Sequence, residues 1–597
     1  MGNLLYKHIL RLDGGVVNVS ALEVGQEALN MLRDGQNIRT RTGMPVGRLG
    51  SVQYSDFSAI GAIQGLELGP IFEYKREYDN AGNSDFFYAI LFSVGTNYYS
   101  VEIDDDPDTI IVVSTSMNSG DFFAVNLFDY MWVATGKDPI MLMEGNTTFT
   151  LAGIVAPVAM TNAGISPVGI YSRKYKYTYY NSSNPMHRES EASIELNQPG
   201  LANAAPNHTY NYTQAVDPQI DTYKFYATEF WETGVDAVKT EFYLLNTKTL
   251  AQAIADGFIL NDTTNDANLT LRAAYDTTKR GVPPEFKYPL WHEGVLYGAG
   301  EEANPSVLYY SIPTKPFYFD PDDWEGVSRD DGDIITGLGS IGRTRFIFKK
   351  NSIWQWTGDP SSAIPITAVE RPDASMNMTR LGIGCADPRS LAAWLNSLIF
   401  RATDGHVYML DNERIVQLST YVPDWMENLS NDAISCVFDD YYIIKQGLFT
   451  YVCDLRKEEF GWQGRDFPVA PNYFLIDHVG RCLGSSGDGI IRYYTGTTDL
   501  GSVISKEARG PYARLSTGDT EASIRELIVE DRNRDGDYIA YMYNEDDTLL
   551  NMGTYTTSDR KFYVGGGRGN FASPKITWTG NANPLQLAIG YRPVRRH

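Results

Sequence analysis

The feature that most constrains the fold is a regular alternation of short aromatic or β-branched runs with turn residues, from about residue 46 onward. Gly, Asp, Asn or Pro separates the runs at intervals of about 8 to 12 residues, which is the spacing of antiparallel sheets. The aromatic share of 13% also favours strands. Hairpins are predicted for Phe86–Phe92 with Tyr98–Ile103, Tyr130–Ala134 with Ile140–Met143, Arg345–Phe348 with Ile353–Trp356, and Tyr441–Ile444 with Phe449–Cys453.

The hairpins recur as a degenerate repeat of about 40 to 50 residues, which is the length of a propeller blade. Short Gly- and Asp-containing turn sequences recur in several of these repeats, at Thr357–Asp359, at Asp404-Gly405 and at Gly487–Gly489. The periodicity by itself leaves a sandwich, a barrel and a propeller open.

Several segments depart from this rhythm. Residues 155–260 have the strand pattern of one small β-sandwich, with a brief helix at Thr247–Asp256. Residues 1–45 predict an arm with a short helix at Ala21–Arg33, and residues 505–597 predict a terminal β domain. Arg389–Phe400 has helical propensity but lies where a blade strand is due, and we predict a strand there. First blades at 46–154 and remaining blades at 261–504 complete the expected organisation.

Charge and composition exclude several classes of protein. The net charge is −24 and the pI about 4.7, which argues against a protein that grips a nucleic-acid backbone. No apolar run reaches the roughly 18 residues of a membrane span, and the N-terminus lacks the apolar core of a signal peptide, so no membrane anchor is expected. The four cysteines contain no C-x-x-C pair, which favours reduced, packed thiols.

Two motifs imitate binding sites. Gly337-Leu-Gly339-Ser-Ile-Gly342 fits a dinucleotide fingerprint, but a strand follows where a helix would have to begin, so we interpret it as a glycine-rich turn. Asp531, Asn533 and Asp535 imitate the start of a calcium loop, yet the twelfth position is Met542 instead of Glu, which leaves only a weak metal candidate.

No catalytic motif is present, and neither a catalytic residue nor a cofactor is predicted. The seven histidines are scattered singly. Acidic clusters at Asp104–Asp106, Asp322-Asp323 and Asp330–Asp333 offer paired carboxylates of the kind that glycosidases use, although acidic loops between strands are more often solvated.

A resemblance emerges from the order of several segments. The chain resembles the β-propeller of tailed-bacteriophage virion proteins, and most closely the tail hub, or nozzle, of short-tailed phages. The segments are HEGVLYGAG (292–300), NPSVLYYS (304–311), PFYF (316–319), DGDIITGL (331–338), FIFKKNSIWQWTG (346–358), GCADPRS (384–390) and DGHVYMLD (404–411). The resemblance covers most of the chain in order, and long-tailed phages also carry relatives of this propeller.

The two ends of the chain extend the resemblance. Gly14, Gly15, Asn30, Arg39 and Arg41 fall in a segment that looks like the family's N-terminal arm, although Arg41-Thr-Gly43 stands where Arg-Pro-Gly is common. A segment with Arg568 looks like part of the family's terminal β domain, and we regard Arg595 and Arg596 as further candidates for contacts between subunits.

The resemblance implies an all-β protein: a β-propeller interrupted by a small fibronectin-III-like β-sandwich, with an N-terminal arm and a C-terminal β domain. It further implies a non-enzymatic virion protein that forms a ring, commonly of six copies, under the portal or adaptor and near tail fibre or tip proteins. Double-stranded DNA would pass through the channel of the ring without tight binding. The protein would be located in the host cytoplasm during assembly. A carbohydrate-binding or glycan-cleaving propeller on the virion is the alternative, and a cell-surface adhesin is a third possibility.

Overall fold

The structure is a computed structural model. The residues that it describes are 6–11, 34–36, 38–39, 46–47, 49, 51–56, 66–80, 83–102, 110–145, 149–164, 168–182, 188–202, 207–358, 360, 366–368, 370–372, 378–380, 383–411, 414–420, 422, 433–447, 449–456, 461–466, 471–487, 489–495, 498–500, 502–509, 513–515, 520–531, 538–543, 549–555, 562–563, 568–569, 571–579 and 584–595. The chain divides into two compact units, Met1–Asp121 with Asp330–His597, and Phe122–Arg329.

The first unit begins with short strands and one complete sheet. The short strands are β1 (Tyr6–Arg11), β2 (Asp34–Gln36), β3 (Ile38–Arg39), β4 (Val46–Gly47) and β5 (Ser51–Asp56). The sheet comprises β6 (Ile71–Asn80), β7 (Asn83–Val94), β8 (Asn97–Glu102) and β9 (Ile110–Ser114). Each of its strands pairs antiparallel with the next one in sequence, so the sheet is a meander.

The second unit contains two such meanders with a sandwich between them in sequence. The first meander comprises β10 (Phe123–Leu127), β11 (Tyr130–Ala134), β12 (Met141–Met143) and β13 (Thr150–Leu151). The sandwich strands are β14 (Thr161–Gly164), β15 (Val168–Tyr180), β16 (Leu196–Leu201), β17 (His208–Asn211), β18 (Thr222–Thr228), β19 (Trp231–Glu232), β20 (Phe242–Thr249) and β21 (Ile259–Asp262). The second meander comprises β22 (Tyr288–His292), β23 (Val295–Ala299), β24 (Val307–Tyr310) and β25 (Trp324–Gly326).

The sandwich has a three-stranded sheet, β14-β17-β21, and a larger sheet in the order β16-β15-β18-β20, with β19 beside β15. Its tyrosine-rich core includes Tyr175, Tyr177 and Tyr179, which alternate along β15 and therefore share one face of the strand. Two short helices, α1 (Leu250–Ala255) and α2 (Asp266–Leu269), flank β21. A capping box between Thr249 and Gln252 begins α1.

Four more blade-like sheets lie in the first unit. Their strands are β26 (Ile335–Ile341), β27 (Thr344–Lys349), β28 (Ile353–Thr357) and β29 (Thr367–Ala368); then, after a hairpin of β30 (Glu370–Pro372) and β31 (Met378–Arg380), β32 (Ala392–Trp394), β33 (Ser397–Arg401), β34 (Val407–Leu410) and β35 (Ile415–Gln417); then β36 (Ile434–Phe438), β37 (Tyr441–Gln446), β38 (Phe449–Asp454) and β39 (Trp462–Asp466); and last β40 (Tyr473–Ile476), β41 (Cys482–Ser486) and β42 (Gly489–Tyr493). Short 3₁₀ helices span Arg329–Asp331, at the junction of the two units, and Pro388–Ser390.

The strands that follow β42 extend the last blade-like sheet and form two further sheet regions. They are β43 (Thr498–Asp499), β44 (Ser502–Val503), β45 (Lys506–Arg509), β46 (Ala513–Arg514), β47 (Thr520–Asp531), β48 (Tyr538–Tyr543), β49 (Leu549–Tyr555), β50 (Phe562–Tyr563), β51 (Arg568–Gly569), β52 (Phe571–Trp578) and β53 (Pro584–Arg595). One region has the order β1-β53-β47-β50, and the other has the order β45-β52-β48-β49. β43 and β44 belong to neither region, because β43 pairs with β5 and β44 pairs with β43 in the last blade-like sheet.

Strands from the N-terminal segment complete sheets that are otherwise built from the far end of the chain. β5 pairs antiparallel with β42 and supplies the fourth strand of the last blade-like sheet. β1 pairs with β53, from Tyr6 opposite Tyr591 to Arg11 opposite Gln586. β2 runs parallel to β39 and antiparallel to β45, and it therefore joins a blade-like sheet to the C-terminal strands.

A two-residue connection between the first and second strands recurs in five sheets. It lies inside the pairs Leu127 opposite Tyr130, His292 opposite Val295, Ile341 opposite Thr344, Trp394 opposite Ser397, and Phe438 opposite Tyr441. In the last of these connections Asp439 and Asp440 both have positive φ, 48° and 61°. Positive φ at both positions is what a type I′ hairpin turn requires, because its twist matches that of the strands.

The fold is an all-β propeller, built from four-stranded antiparallel meanders and interrupted by a β-sandwich. All four predicted hairpins are confirmed, as is the helix within Thr247–Asp256. The strand predicted for Arg389–Phe400 is found as β32 and β33, preceded by the 3₁₀ helix at Pro388–Ser390. The predicted helix at Ala21–Arg33 lies outside the described residues. The domain boundaries stay predictions.

Candidate interaction surfaces

Most of the sequence-predicted contact residues lie at or beyond the limits of the described chain. Gly14, Gly15, Asn30, Arg41 and Arg596 lie outside the described residues. The other three, Arg39, Arg568 and Arg595, lie on strands, namely β3, β51 and β53.

The structure brings two of these arginines to the same strand. Arg568 pairs with Ser523 and Arg595 pairs with Thr520, and both partners belong to β47. Ser523 pairs with β51 and also with β53, so these two strands lie on opposite sides of β47, and the two arginine positions flank that strand from its two edges. Arg39 pairs with Val46 in a separate two-stranded ladder.

The calcium-like motif is described only at its first residue. Asp531 ends β47 and pairs with Pro584, whereas Asn533 and Asp535 lie outside the described residues. Within the described part of the chain, no group of three or more His, Cys, Asp or Glu side chains is arranged to hold a metal ion. The weak metal site therefore stays a prediction.

Three carboxylates of the predicted acidic clusters, those of Asp322, Asp331 and Asp333, form local contacts. Lys279 forms ion pairs with Asp320, at 2.9 Å between Nζ and Oδ1, and with Asp322. The fully buried Lys349 ammonium lies 2.6 Å from Asp331 Oδ1.

A further carboxylate of these clusters, that of Asp333, accepts hydrogen bonds from the backbone N–H of Asn351 and the Ser352 hydroxyl. These carboxylates stabilise the local backbone through their contacts. The cluster Asp104–Asp106 lies outside the described residues.

The glycine-rich motif lies on a hairpin, as predicted. Gly337 and Gly339 belong to β26, and Gly342 occupies the turn before β27 with φ 57°. Because a strand follows the motif, it has no helix N-terminus to receive a pyrophosphate.

The four cysteines are free and buried, which confirms the predicted packed thiols. Burial raises the pKa of the Cys385 thiol to about 12, so its thiolate is scarce at neutral pH. Burial, together with the neighbouring Cys482, also raises the pKa of Cys436. Their packing makes these thiols poor nucleophiles.

A buried ion network joins the two sheets of the sandwich. Arg173 Nη1 lies 2.9 Å from Asp262 Oδ2, both side chains being inaccessible to solvent, and Nη2 lies 2.8 Å from Asp266 Oδ1. The guanidinium also donates to the carbonyls of Thr228 and Thr264, and the Tyr175 hydroxyl donates to Asp262.

This network was missed by the sequence reasoning, although the sequence contains a signal for it. Arg173 lies in phase with the core tyrosines of β15, so its side chain is directed into the core. A charge at a core position requires a buried partner.

A second network holds the segment that leaves the sandwich. Arg280 is buried, and its Nη1 lies 3.4 Å from Glu189 Oε1, an atom that also accepts hydrogen bonds from Thr178 and Tyr226. The backbone N–H of Glu189 donates to the Tyr318 hydroxyl at 3.0 Å. The contacts fasten the sandwich to the segment that follows β24 in the same unit.

The first and last blade-like sheets of the first unit pack against each other. Phe92 and Leu483 belong to one hydrophobic cluster, and the backbone N–H of Leu68 donates to the Gly487 carbonyl at 2.9 Å. The His478 ring stacks on Tyr88 with centroids 3.5 Å apart. These contacts join the sheet of β6–β9 to the sheet of β40–β42, whose fourth strand is β5.

Neither α-helix of the described residues, six and four residues long, could cross a membrane.

No family model and no curated protein matches this chain. The solved structures similar to it include two WD40 domains and a third protein. They are the WD40 β-propeller domain of Doa1 (9% identity, TM-score 0.21, 45% of this chain and 88% of that chain), the WD40 domain of Neurospora crassa Pan2 (9%, 0.23, 62% and 88%) and apo AztD from Citrobacter koseri (9%, 0.20, 53% and 89%). At these TM-scores the likenesses carry no argument, and the propeller assignment is based on the four-stranded meanders.

Proposed function

We propose that the chain is a structural protein of a bacteriophage tail that forms a ring-shaped hub or nozzle, commonly of six copies. In this proposal the ring continues the DNA-exit channel below the portal or adaptor, contacts fibre or tip proteins, and takes part in genome ejection. The protein has no catalytic role, is assembled in the host cytoplasm and remains in the virion tail.

One observation carries the proposal: segments that resemble the phage family follow one another in the same order along the chain, on a β-propeller. Three glycines of these segments occupy turns, since Gly294, Gly358 and Gly405 have φ of 81°, 99° and 87°. Glycine adopts this region without a steric penalty. The shared glycines therefore fall where the geometry of the sheets requires them.

The way the chain ends are built in supports a mechanical role. β1, β2 and β5 pair with β53, β45 and β42, so the N-terminal segment is hydrogen-bonded to the C-terminal part of the same unit. Separating these ends breaks several ladder hydrogen bonds at once, and such an arrangement resists local opening. A subunit of a channel under pressure needs this property.

The net charge of −24 supports passage of DNA without tight binding, since binding to the phosphate backbone depends on cationic side chains. Purified protein mixed with duplex DNA at about 50 mM salt is expected to show no retention of the duplex. Tight, salt-sensitive binding would contradict this part of the proposal.

The carbohydrate alternative has less support, because the carboxylates of Asp322, Asp331 and Asp333 are already paired with a lysine or with hydrogen-bond donors. Incubation with host polysaccharide separates the two functions, since release of reducing ends would favour the enzyme.

The proposal is tested by removing the gene from the source that encodes the chain and supplying it in trans as a control. Particles made without the chain are expected to contain packaged DNA but to lack a functional tail and to be non-infectious. Complete, infectious particles without the chain would overturn the proposal.

A further inference from the structure

Two stretches of the sandwich sequence carry no formal charge. Residues 145–172 and 196–216 contain no Asp, Glu, Lys or Arg, although 21% of the residues of the whole chain are charged. The first stretch supplies β14 and the start of β15, and the second supplies β16 and β17. We call Val155–Gly164 together with Val168–Ile170 the neutral edge.

Strand pairing brings the two charge-free stretches side by side. Thr161 of β14 pairs with Asn211 of β17, and Val168 of β15 pairs with Leu201 of β16. The first pair belongs to the three-stranded sheet and the second to the larger sheet, so in each sheet of the sandwich one charge-free strand lies beside another.

Apolar side chains are exposed along the neutral edge. Val155, Val158, Val168 and Ile170 are 62%, 60%, 78% and 59% exposed. A single exposed apolar residue is ordinary, but four of them between positions 155 and 170 concentrate exposed apolar area, and such a concentration marks interaction sites.

The neutral edge also includes a sheet edge. Within the described residues β14 pairs with β17 alone, so one side of this strand carries no neighbouring strand. Its sequence, Thr-Asn-Ala-Gly, has neither a charge nor a proline. Charged residues and prolines are common means of preventing unwanted pairing at sheet edges, and this edge lacks both.

The charge of the chain indicates which partner the neutral edge suits. Two copies with a net charge of −24 repel each other, and burying an unpaired carboxylate at their contact would be costly. Copies of this chain can therefore approach most closely where a surface contributes no charge, and the cores of protein interfaces are depleted in charge. A basic partner would instead bind the acidic surface.

We propose that the neutral edge of the sandwich is a contact surface for a second copy of this chain. The inference is based on the proposed ring, in which one patch of a subunit meets a different patch of the next subunit. The neutral edge is one of these two patches, and burial of its valines and Ile170 contributes apolar area to the contact.

The test compares the association of the purified full-length chain with that of two variants, Ile170→Asp and Val158→Asp. Analytical ultracentrifugation over a range of concentrations measures association, and hydrogen exchange locates the protected residues. Each aspartate places a carboxylate on the contact, and association is expected to weaken by about 100-fold. Val479→Asp is the matched control, because Val479 is also 59% exposed but lies in the β40–β41 turn.

The inference is supported if the wild type and Val479→Asp associate alike, with protection of residues 155–172, while both edge variants stay monomeric. Ile170→Ser guards against misfolding, since it removes the apolar side chain without adding charge and should give an intermediate loss. A wild type that remains monomeric, or edge variants that associate normally, would overturn the inference.

Failure of this inference can be distinguished from failure of the proposed function. If the edge variants enter particles with wild-type copy number, the neutral edge is not a contact between copies, but the tail role stands. If the wild-type chain is absent from particles, the proposed function itself fails.

Discussion

Replacing Asp262 with alanine removes the main counter-charge of a fully buried arginine. In the wild type the Asp262 carboxylate lies 2.9 Å from Arg173 Nη1 and accepts a hydrogen bond from the Tyr175 hydroxyl at 2.7 Å. After the change, the guanidinium keeps Asp266, whose side chain is one-third exposed, and two backbone carbonyls. The arginine then remains buried with only part of its compensation.

Removing one partner of a buried pair costs about 3–5 kcal/mol, because the other charge is left without compensation. A more exposed ion pair, formed by the residue that follows Arg173 on β15, serves as the control. Lys174 Nζ lies 2.9 Å from Glu195 Oε2, and these side chains are 20% and 45% exposed. Glu195→Ala is expected to cost less than about 1 kcal/mol, because solvent screens the pair.

Native-state hydrogen exchange on peptides from β15 and β18 is the suitable assay, since a chain with several structural units does not unfold in a single two-state transition. Asp262→Ala is expected to speed exchange in these strands by roughly 100- to 4,000-fold, and Glu195→Ala by less than about tenfold.

Combining Asp262→Ala with Arg173→Met is expected to cost about 2 kcal/mol less than the sum of the single changes, since neither charge is then left buried alone. Equal effects of Asp262→Ala and Glu195→Ala, or strict additivity in the double variant, would refute the reasoning.

Two further substitutions and one titration have definite expected outcomes. Gly384→Ala places a methyl group against the Lys349 carbonyl, a backbone atom that cannot move away, and should destabilise the neighbouring strands by about 1–3 kcal/mol as measured by native-state hydrogen exchange. Gly337→Ala meets only a leucine methyl at ordinary contact distance and should have a smaller effect in the same assay. Leu395 is 83% exposed with φ 50°, so Leu395→Gly should stabilise the chain by up to about 1 kcal/mol, and a lower melting temperature would contradict this. Burial lowers the pKa of Lys176 to about 8, against the opposing effect of nearby acids, so its acylation by an amine reagent should show a midpoint near pH 8 in mass spectra, and a midpoint above pH 10 would contradict this. Because that pKa is below the ordinary 10.5, the contribution of Lys176 to stability should rise between pH 8 and 10.5 and stay constant below pH 8.

Local sequence signals predicted most of the strands. Adjacent aromatic and β-branched runs with a short polar connection, such as those around Asp439-Asp440, determine a hairpin through their own turn geometry. The helix α1 was likewise readable, since its capping box and the following Gly257 are encoded within nine residues of sequence, 249–257.

Pairings over long sequence distances could not be predicted. β5 completes a sheet with β42, and β2 lies between β39 and β45, yet no local property of these short strands specifies partners more than 400 residues away. Such partners are chosen by the assembled core, so tertiary context determines them.

The helical propensity of Arg389–Phe400 was overridden in the same way. β32 and β33 pair across a tight turn at Leu395, and their neighbours β34 and β36 provide the partners and packing that a lone helix would lack. Arg173 lies in phase with the core tyrosines along β15, and this pattern indicates a buried side chain. Its acidic partners lie about 90 residues further on and could not be assigned from the sequence.

The central claim is that this chain works as a ring-forming part of a virion tail. The most direct measurement is the copy number of the chain relative to the portal protein in purified particles, by quantitative mass spectrometry of the isolated tail complex. The account predicts a fixed number of copies of the chain per particle, and six is the number expected for one ring. Purified, infectious particles that contain none of the chain would contradict it.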